Sequence, residues 1–302
     1  MHLQPWWLDA LCLAENWDVA LAFDGAGGVL GALPWHKKRR WGLWVIQNPP
    51  ISAYAGPWLR YPEAPSLKLQ SRYSFEKKVC NALIHQLPRT IFFLQNFRPE
   101  VENWLPFYWH GFRQSTRYTY VFDHPIALDD ITTGMKNTLR SDLKKAAQGV
   151  EYRLENNAWN TVLQLNTQSF ERKKLRQPYD ESTFERLHIA LAGRQQMACF
   201  IARDRISDAP HAGLYLAFDT QQAAVLLSGA ATAYKSSCAV YGLFLEAIKF
   251  CSERGLSLDF EGSMSPAVEH TFRAFGARQQ AYSQVWKARS KFWELLFHLS
   301  RR

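Results

Sequence analysis

The sequence predicts an α+β fold with mixed sheets, made of one unit written twice. Three observations predict it. A strand meander followed by helix, strand, helix and strand occurs between residues 18 and 122, and again between 197 and 287. A short motif recurs at the same point of both series: Gly111-Phe-Arg-Gln precedes "RYTYVF", and Gly276-Ala-Arg-Gln precedes "AYSQVW". The 302 residues are 47% hydrophobic with 12 Trp, 12 Tyr and 19 Phe, enough to fill two cores and to exclude a disordered chain.

The first series opens with "DVALAF", the hairpin signal "DGAGG", "VLGALPWH" and "WGLWVI", a three-strand meander. "SRYSFEKKVCNALIHQL" then places Phe75, Val79, Leu83 and Leu87 at helical spacing. The strand "TIFFLQNF", a short segment around Trp104 and the strand "RYTYVFD" complete the series. In the second, "MACFIARD", "HAGLYLAFD" and "AAVLLSGAAT" form the meander, and "SSCAVYGLFLEAIKFCSERG" is an amphipathic helix stopped by Gly255. The strand "LSLDFEG", a helix from Pro266 to Phe275 and the strand "QAYSQVWK" follow. Between the series, Met135, Leu139 and Leu143 repeat every fourth residue in a helix that Gly149 ends. We therefore expect domains at 1–124 and 125–302. The closing helix "KARSKFWELLFHLSRR", with Phe292, Leu295, Leu296 and Leu299 as its apolar face, is expected to pack back on the first domain.

The net charge of +9 favours anionic partners. Its sources are "HKKRR" at 36–40, the 136–145 segment, "RKKLR" at 172–176 and the terminal "RR". Neither a secretory leader nor an apolar run long enough to span a bilayer is visible, so the expected location is cytoplasmic, with peripheral membrane contact through the basic C-terminal helix as one reading. The five cysteines include no CxxC, and the nine histidines include no HxxxH or HExxH, so a metal is not expected.

Three stretches carry a family resemblance: "LRSDLKKAAQGVEYRL" at 139–154, "AYKSSCAVYGLFLEAIKFCSERGLSLDFEGS" at 233–263 and "FRAFGARQQAYSQVWK" at 272–287. Together with the element order they resemble the Gcn5-related N-acetyltransferase (GNAT) fold present in tandem, as in the FemAB-like aminoacyl transferases that extend peptidoglycan precursors. The resemblance implies two GNAT-like domains and acyl or aminoacyl transfer to an amine in a groove between them. The implied donor is aminoacyl-tRNA or acyl-CoA, and the implied acceptor a nucleotide-linked precursor. Two departures stand out: the long helical arm of tRNA-using Fem enzymes has no counterpart, and "SGAATAYKSSCAVYG" lacks the glycine-rich pyrophosphate loop of CoA-using enzymes.

Within this frame Asp259 and Glu261 flank Phe260 and are expected on one strand face, where one serves as general base. Lys287, ending the last strand, is the candidate oxyanion or phosphate partner. A helix start near Ser236 is the expected donor site: Ser236 or Ser237 as cap, Lys235 as charge, Tyr234 and Tyr241 as hydrogen-bond partners. Arg140 and Lys144 of the basic helix stripe could meet phosphates. So could Lys37, in a presumed hairpin turn. Gln95 would sit at a polar strand tip, and Tyr54 in a groove wall formed by "QNPPISAYAGPW". The blander reading of each is a solvated face, a capped helix or a charge network, the last pairing the two carboxylates with Arg273, Arg278 or Lys287. The alternative function is a catalytically silent binder of anionic ligands or nucleic acid on the same fold.

Overall fold

A computed structural model describes residues 1–62, 68–262 and 264–299, with the backbone alone at Ala267, Phe297 and His298. The first half runs α1 (Pro5–Cys12), β1 (Trp17–Phe23), β2 (Val29–Arg40), β3 (Leu43–Gln47), β4 (Trp58–Leu59), α2 (Leu69–His85), β5 (Phe92–Asn96), α3 (Leu105–Trp109) and β6 (Arg113–Phe122). The second runs α4 (Leu128–Gly134), α5 (Asn137–Gly149), β7 (Val150–Leu154), α6 (Trp159–Arg172), α7 (Glu181–Ala192), β8 (Met197–Asp204), β9 (Pro210–Phe218), β10 (Gln222–Ala230), α8 (Ala239–Glu253), β11 (Ser257–Asp259), α9 (Pro266–Ala274), β12 (Arg278–Ala288) and α10 (Lys291–Leu299). The mixed α/β class is the expected one. Helices α6 and α7 were not read from the sequence. No helix among the described residues is long and apolar enough to cross a membrane.

The chain divides into two compact units, but not at residue 124. One unit comprises Tyr118–Gln280 with Met1, the other His2–Arg117 with Ala281–Arg302. Strands β6 and β12 each begin in one unit and end in the other, so the closing strand of the chain serves the N-terminal unit. A linear boundary cannot represent that exchange.

In the N-terminal unit the strands are ordered β1-β2-β3-β5-β12, with β4 on β2. Strands β1, β2 and β3 form the antiparallel meander, and β3 pairs in parallel with β5 (Val45↔Phe92, Ile46↔Phe93), with α2 as the crossover. The β2–β3 turn falls at Trp41 and Gly42, both with positive φ (52° and 76°), as a tight two-residue hairpin requires. "KKRR" is therefore the end of strand β2 and not a turn. The core holds Leu33, Ile46, Val79, Leu83, Phe93, Phe97 and Phe107, and the apolar spacing of α2 supplies its share as expected. On a second face, Val45, Ile91 and Phe92 pack with Trp293 of α10.

In the other unit the order is β6-β11-β10-β9-β8-β7. Here β10 and β11 are the parallel pair and α8 is the crossover, repeating β3, α2 and β5. Helix α8 contains Gly242 and several β-branched and aromatic residues, so its apolar face and not its propensity decides it: it buries Ala239, Leu243, Phe244, Ala247, Ile248 and Cys251 along one side. Each large side chain so buried stabilises by about 2 kcal/mol. Gly255, at φ 68°, stops the helix. The repeated Gly-x-Arg-Gln motif has one physical role in both halves. Gly111 (φ 79°) follows α3 and Gly276 (φ 84°) follows α9, each turning the chain from a short helix into a strand.

Candidate active site

The feature that organises the second unit is a parting of strands. β10 and β11 pair only from Gln222↔Ser257 to Ala224↔Asp259. The next residue, Phe260, donates its N–H to Tyr120 O of β6 at 3.0 Å, so the chain turns away from β10 towards its other neighbour. β10 meanwhile bulges: Val225 faces Leu216 and Leu227 faces Tyr215, leaving Leu226 without a counterpart in β9. A parallel pair that opens at its carboxyl ends beside a crossover helix is a usual place for a ligand in α/β sheets.

Asp259 pins this parting. It is buried, and its Oδ1 accepts from Thr119 Oγ1 (2.5 Å) and from the backbone N–H of Glu261 (2.7 Å). The second bond closes a short side-chain turn, and Glu261 sits beyond the strand in the left-handed region at φ 55°. The two carboxylates consequently do not share a strand face as alternation had suggested, because the strand stops at Asp259. Gly262 is required as glycine: at φ 74°, a Cβ would lie 2.8 Å from Tyr118 O. The expected cation partners are engaged elsewhere. Arg273 pairs with Glu269 (2.8 Å), Arg278 with Asp123 (2.7 Å), and Lys287 Nζ donates to His110 O (2.7 Å). Lys287 is exposed and belongs to the N-terminal unit.

The donor-site helix begins later than predicted. Residues Thr232–Ser237 form a 3₁₀ turn, Cys238 takes a left-handed conformation (φ 58°), and α8 starts at Ala239. Ser237 Oγ accepts from Ala239 N at 3.4 Å, while Ser236 and Lys235 are exposed on the 3₁₀ turn. Tyr234 stacks on the buried ring of His211 at 3.8 Å, and so is a packing element as well as a polar one. Tyr241, in the first turn of α8, is half-buried; burial, then Cys238 and Asp142, push its hydroxyl above the ordinary range. Burial also pushes the Cys238 thiol up, so it is no activated nucleophile. Cys80 and Cys251 are pushed up to about 12 for the same reason.

Several features here carried no sequence signal that was read. Gly229 lies so close to α6 that a Cβ would be 2.3 Å from Leu165 O and 2.4 Å from Asn166 N. Asn166 Nδ2 donates to Ser228 O (2.8 Å), and Arg172 donates to Ala230 O (3.1 Å). These bonds hold the carboxyl end of β10 against α6. Glycine inside "LLSGAAT" was the available clue, since a glycine within a strand marks close backbone approach.

The remaining candidates are dispersed. On α5, Arg140 donates to Thr133 O, and Lys144 is exposed. In the N-terminal unit, Lys37 lies half-buried in β2 opposite Ile46, with Nζ 5.8 Å from the Trp44 ring. Gln95 is fully buried within β5 and donates to Pro34 O (2.9 Å), so it is not a polar strand tip. Tyr54 is 3% exposed and packs edge-on to Tyr282 at 5.2 Å, so it forms no open wall. Its loop instead fills the carboxyl ends of β3 and β5. Asn48 Oδ1 accepts from Asn96 N (2.8 Å), Asn48 Nδ2 donates to Ala53 O (2.9 Å), and Ala55 N donates to Asn96 O (2.7 Å). The position that parts in one unit is plugged by peptide in the other.

That geometry lies inside a known family's boundaries. Residues 134–270 match the family model described as "Acetyltransferase (GNAT) domain". This segment resembles a GNAT domain. It includes β10, α8 and β11, the parting strands and both carboxylates. No curated protein matches the chain in sequence. Among solved structures, FemX aligns with a TM-score of 0.68 at 12% identity, over 94% of this chain and 91% of that one. L-PGS from Bacillus licheniformis gives 0.56 at 11%, covering 97% and 91%. A conserved protein of unknown function from Bacteroides thetaiotaomicron gives 0.57 at 10%, covering 94% and 90%. These likenesses concern the fold. Together with the family match they show a GNAT-like fold.

Proposed function

We propose that the chain transfers an aminoacyl or acyl group from an activated ester or thioester to an amine, with the chemistry at the parting of β10 and β11 in the GNAT domain. The observation that carries the reading is the short β10–β11 register, which ends at Ala224↔Asp259 and frees the following β10 edge beside the Leu226 bulge. In this reading the neutral amine attacks the acyl carbonyl carbon. Backbone N–H groups of β10 past Ala224 stabilise the oxyanion, Glu261 accepts the amine proton, and the bond from the acyl carbon to the donor oxygen or sulfur breaks. Asp259 positions Glu261 by closing the turn between them.

The span from β10 to α8 favours an aminoacyl-tRNA donor over acyl-CoA. A pyrophosphate cradle needs successive backbone N–H groups left open by glycines. Here Tyr234, Lys235, Ser236 and Ser237 occupy a 3₁₀ turn with Tyr234 packed on His211. Arg140, Lys144 and Lys235 are the phosphate-facing candidates in this unit. A peptidoglycan-type, nucleotide-linked acceptor is the finer form of the reading, suggested by likeness to FemX.

The test is a transfer assay pairing charged tRNA or acyl-CoAs with nucleotide-linked peptides and simple amines, on the wild type and Glu261→Gln. Product formation with charged tRNA, reduced about 10²-fold or more by Glu261→Gln, supports the reading. Product from acyl-CoA alone would overturn the donor assignment. Salt-sensitive RNA binding with no transfer product from any pair would replace the enzyme by a binding protein.

A further inference from the structure

The N-terminal unit carries an apolar surface that no other described residue covers. Helix α10 is fixed to its sheet by Trp293, which packs with Val45, Ile91 and Phe92 and stacks on Trp41 at 5.9 Å. Anchoring through Trp293 turns another face of the helix outward. Phe292, Leu295 and Leu299, spaced by three and four, are 61%, 60% and 56% exposed. Trp41 carries the patch to the β2–β3 hairpin, where Trp41, Leu43 and Trp44 are 50%, 42% and 40% exposed. Cations surround the hairpin tip: Lys38 and Arg39 are exposed, and the guanidinium of Arg39 lies 4.9 Å from the Trp44 ring. Residues 36–44 contain no acid, and the one carboxylate of α10, Glu294, is paired with Arg113.

We infer that this unit docks on an anionic lipid bilayer through the outer face of α10 and the tip of the β2–β3 hairpin. Aromatic and aliphatic side chains enter the interface while lysine and arginine reach the headgroup phosphates. The C-terminal helix suspected from sequence is thus only half of the surface. Exposed aromatics beside arginines would also suit RNA. The aliphatic residues decide against it, since Leu43, Leu295 and Leu299 gain nothing from a phosphate backbone and gain by leaving water for acyl chains. The inference does not depend on the transfer reaction.

The experiment is co-sedimentation of the full chain with phosphatidylcholine vesicles, with and without phosphatidylglycerol, while tryptophan emission is followed. Binding only to the anionic vesicles, weakened by salt and accompanied by a blue shift, is expected. Phe292→Ser combined with Leu295→Ser should lower the partition coefficient at least about tenfold, and Lys38→Ser with Arg39→Ser by a similar factor. All four side chains are half-buried or less in contacts, so unchanged melting of these variants verifies the fold. The inference is overturned by wild type that stays in the supernatant, by variants that bind as wild type does, or by a dimer in gel filtration that the apolar pair of substitutions dissolves. Preferential binding of RNA by the same residues would also overturn it.

Discussion

Replacing Asp259 by alanine separates a positioning residue from a proton acceptor. The carboxylate Oδ1 accepts from Thr119 Oγ1 at 2.5 Å and Glu261 N at 2.7 Å, and Thr119 is fully buried. Hydrogen bonds to a charged group contribute about 1.5–3 kcal/mol each, and a buried hydroxyl stripped of its acceptor costs about 1–3 kcal/mol. The Glu261 N–H regains part of its loss from water, so Asp259→Ala should cost about 3 kcal/mol, most of it at Thr119. Asp259→Asn keeps an oxygen acceptor and should cost about 1 kcal/mol. Urea unfolding at constant m-value measures both. A cycle with Thr119→Val should give a coupling of about 1–2 kcal/mol, because the two substitutions remove one shared bond. Additive effects, or an Asp259→Ala loss below about 0.5 kcal/mol, would refute the assignment of Asp259 as the pin of the turn. Loss of transfer activity in Asp259→Asn equal to that in Glu261→Gln, with stability unchanged, would move the proton acceptor to Asp259.

Further outcomes are expected from other parts of the molecule. Gly229→Ala should cost roughly 3 kcal/mol, since its Cβ meets backbone of Leu165 and Asn166 that cannot rotate away, and thermal unfolding should show a fall of several degrees. His36, His188 and His211 are all held below the ordinary 6.5, chiefly by burial. The unfolded chain therefore binds more protons, so stability is intact above about pH 6.5 and falls as pH drops towards the folded values. His211→Gln should flatten that acid decline in a melting series from neutral to mildly acidic pH, and an unchanged slope would exclude His211 from it. Glu76→Ala should destabilise by about 1–3 kcal/mol, because Tyr61 and Asn103 lose their shared acceptor while the partly exposed Arg72 returns to water, and denaturant titration will show it.

The fold was legible where periodicity and punctuation agreed. The parallel crossovers through α2 and α8 follow from apolar residues at helical spacing, and the duplicated Gly-x-Arg-Gln turns follow from two glycines that both need positive φ. Helices α6 and α7 were missed because polar residues interrupt their apolar faces, which include Asn166 and Thr183 in buried positions. The sequence shows Asp259 and Glu261 together near a strand end but not their geometry. Alternation predicts one face only while a strand continues, and this strand ends where Asp259 captures the next turn. Gln95 and Tyr54 looked like surface features because polarity and proline content mark loops, yet tertiary hydrogen bonds and ring contacts bury both. The Leu226 bulge sits in an unbroken apolar run, where side-chain type reveals nothing of register.

The exchange of closing strands has a consequence for how the chain is made. Strand β5 receives its β12 neighbour through Gln284↔Asn96 to Ala288↔Phe92, some 190 residues later in synthesis. The unit that starts first on the ribosome is thus completed last. Until then Phe92–Asn96 presents an unpaired edge to whatever is nearby, and residues 118–280 must already be threaded out before it can be covered. A truncation after residue 124, the cut a linear reading recommends, would leave that edge open permanently and yield aggregate instead of a domain.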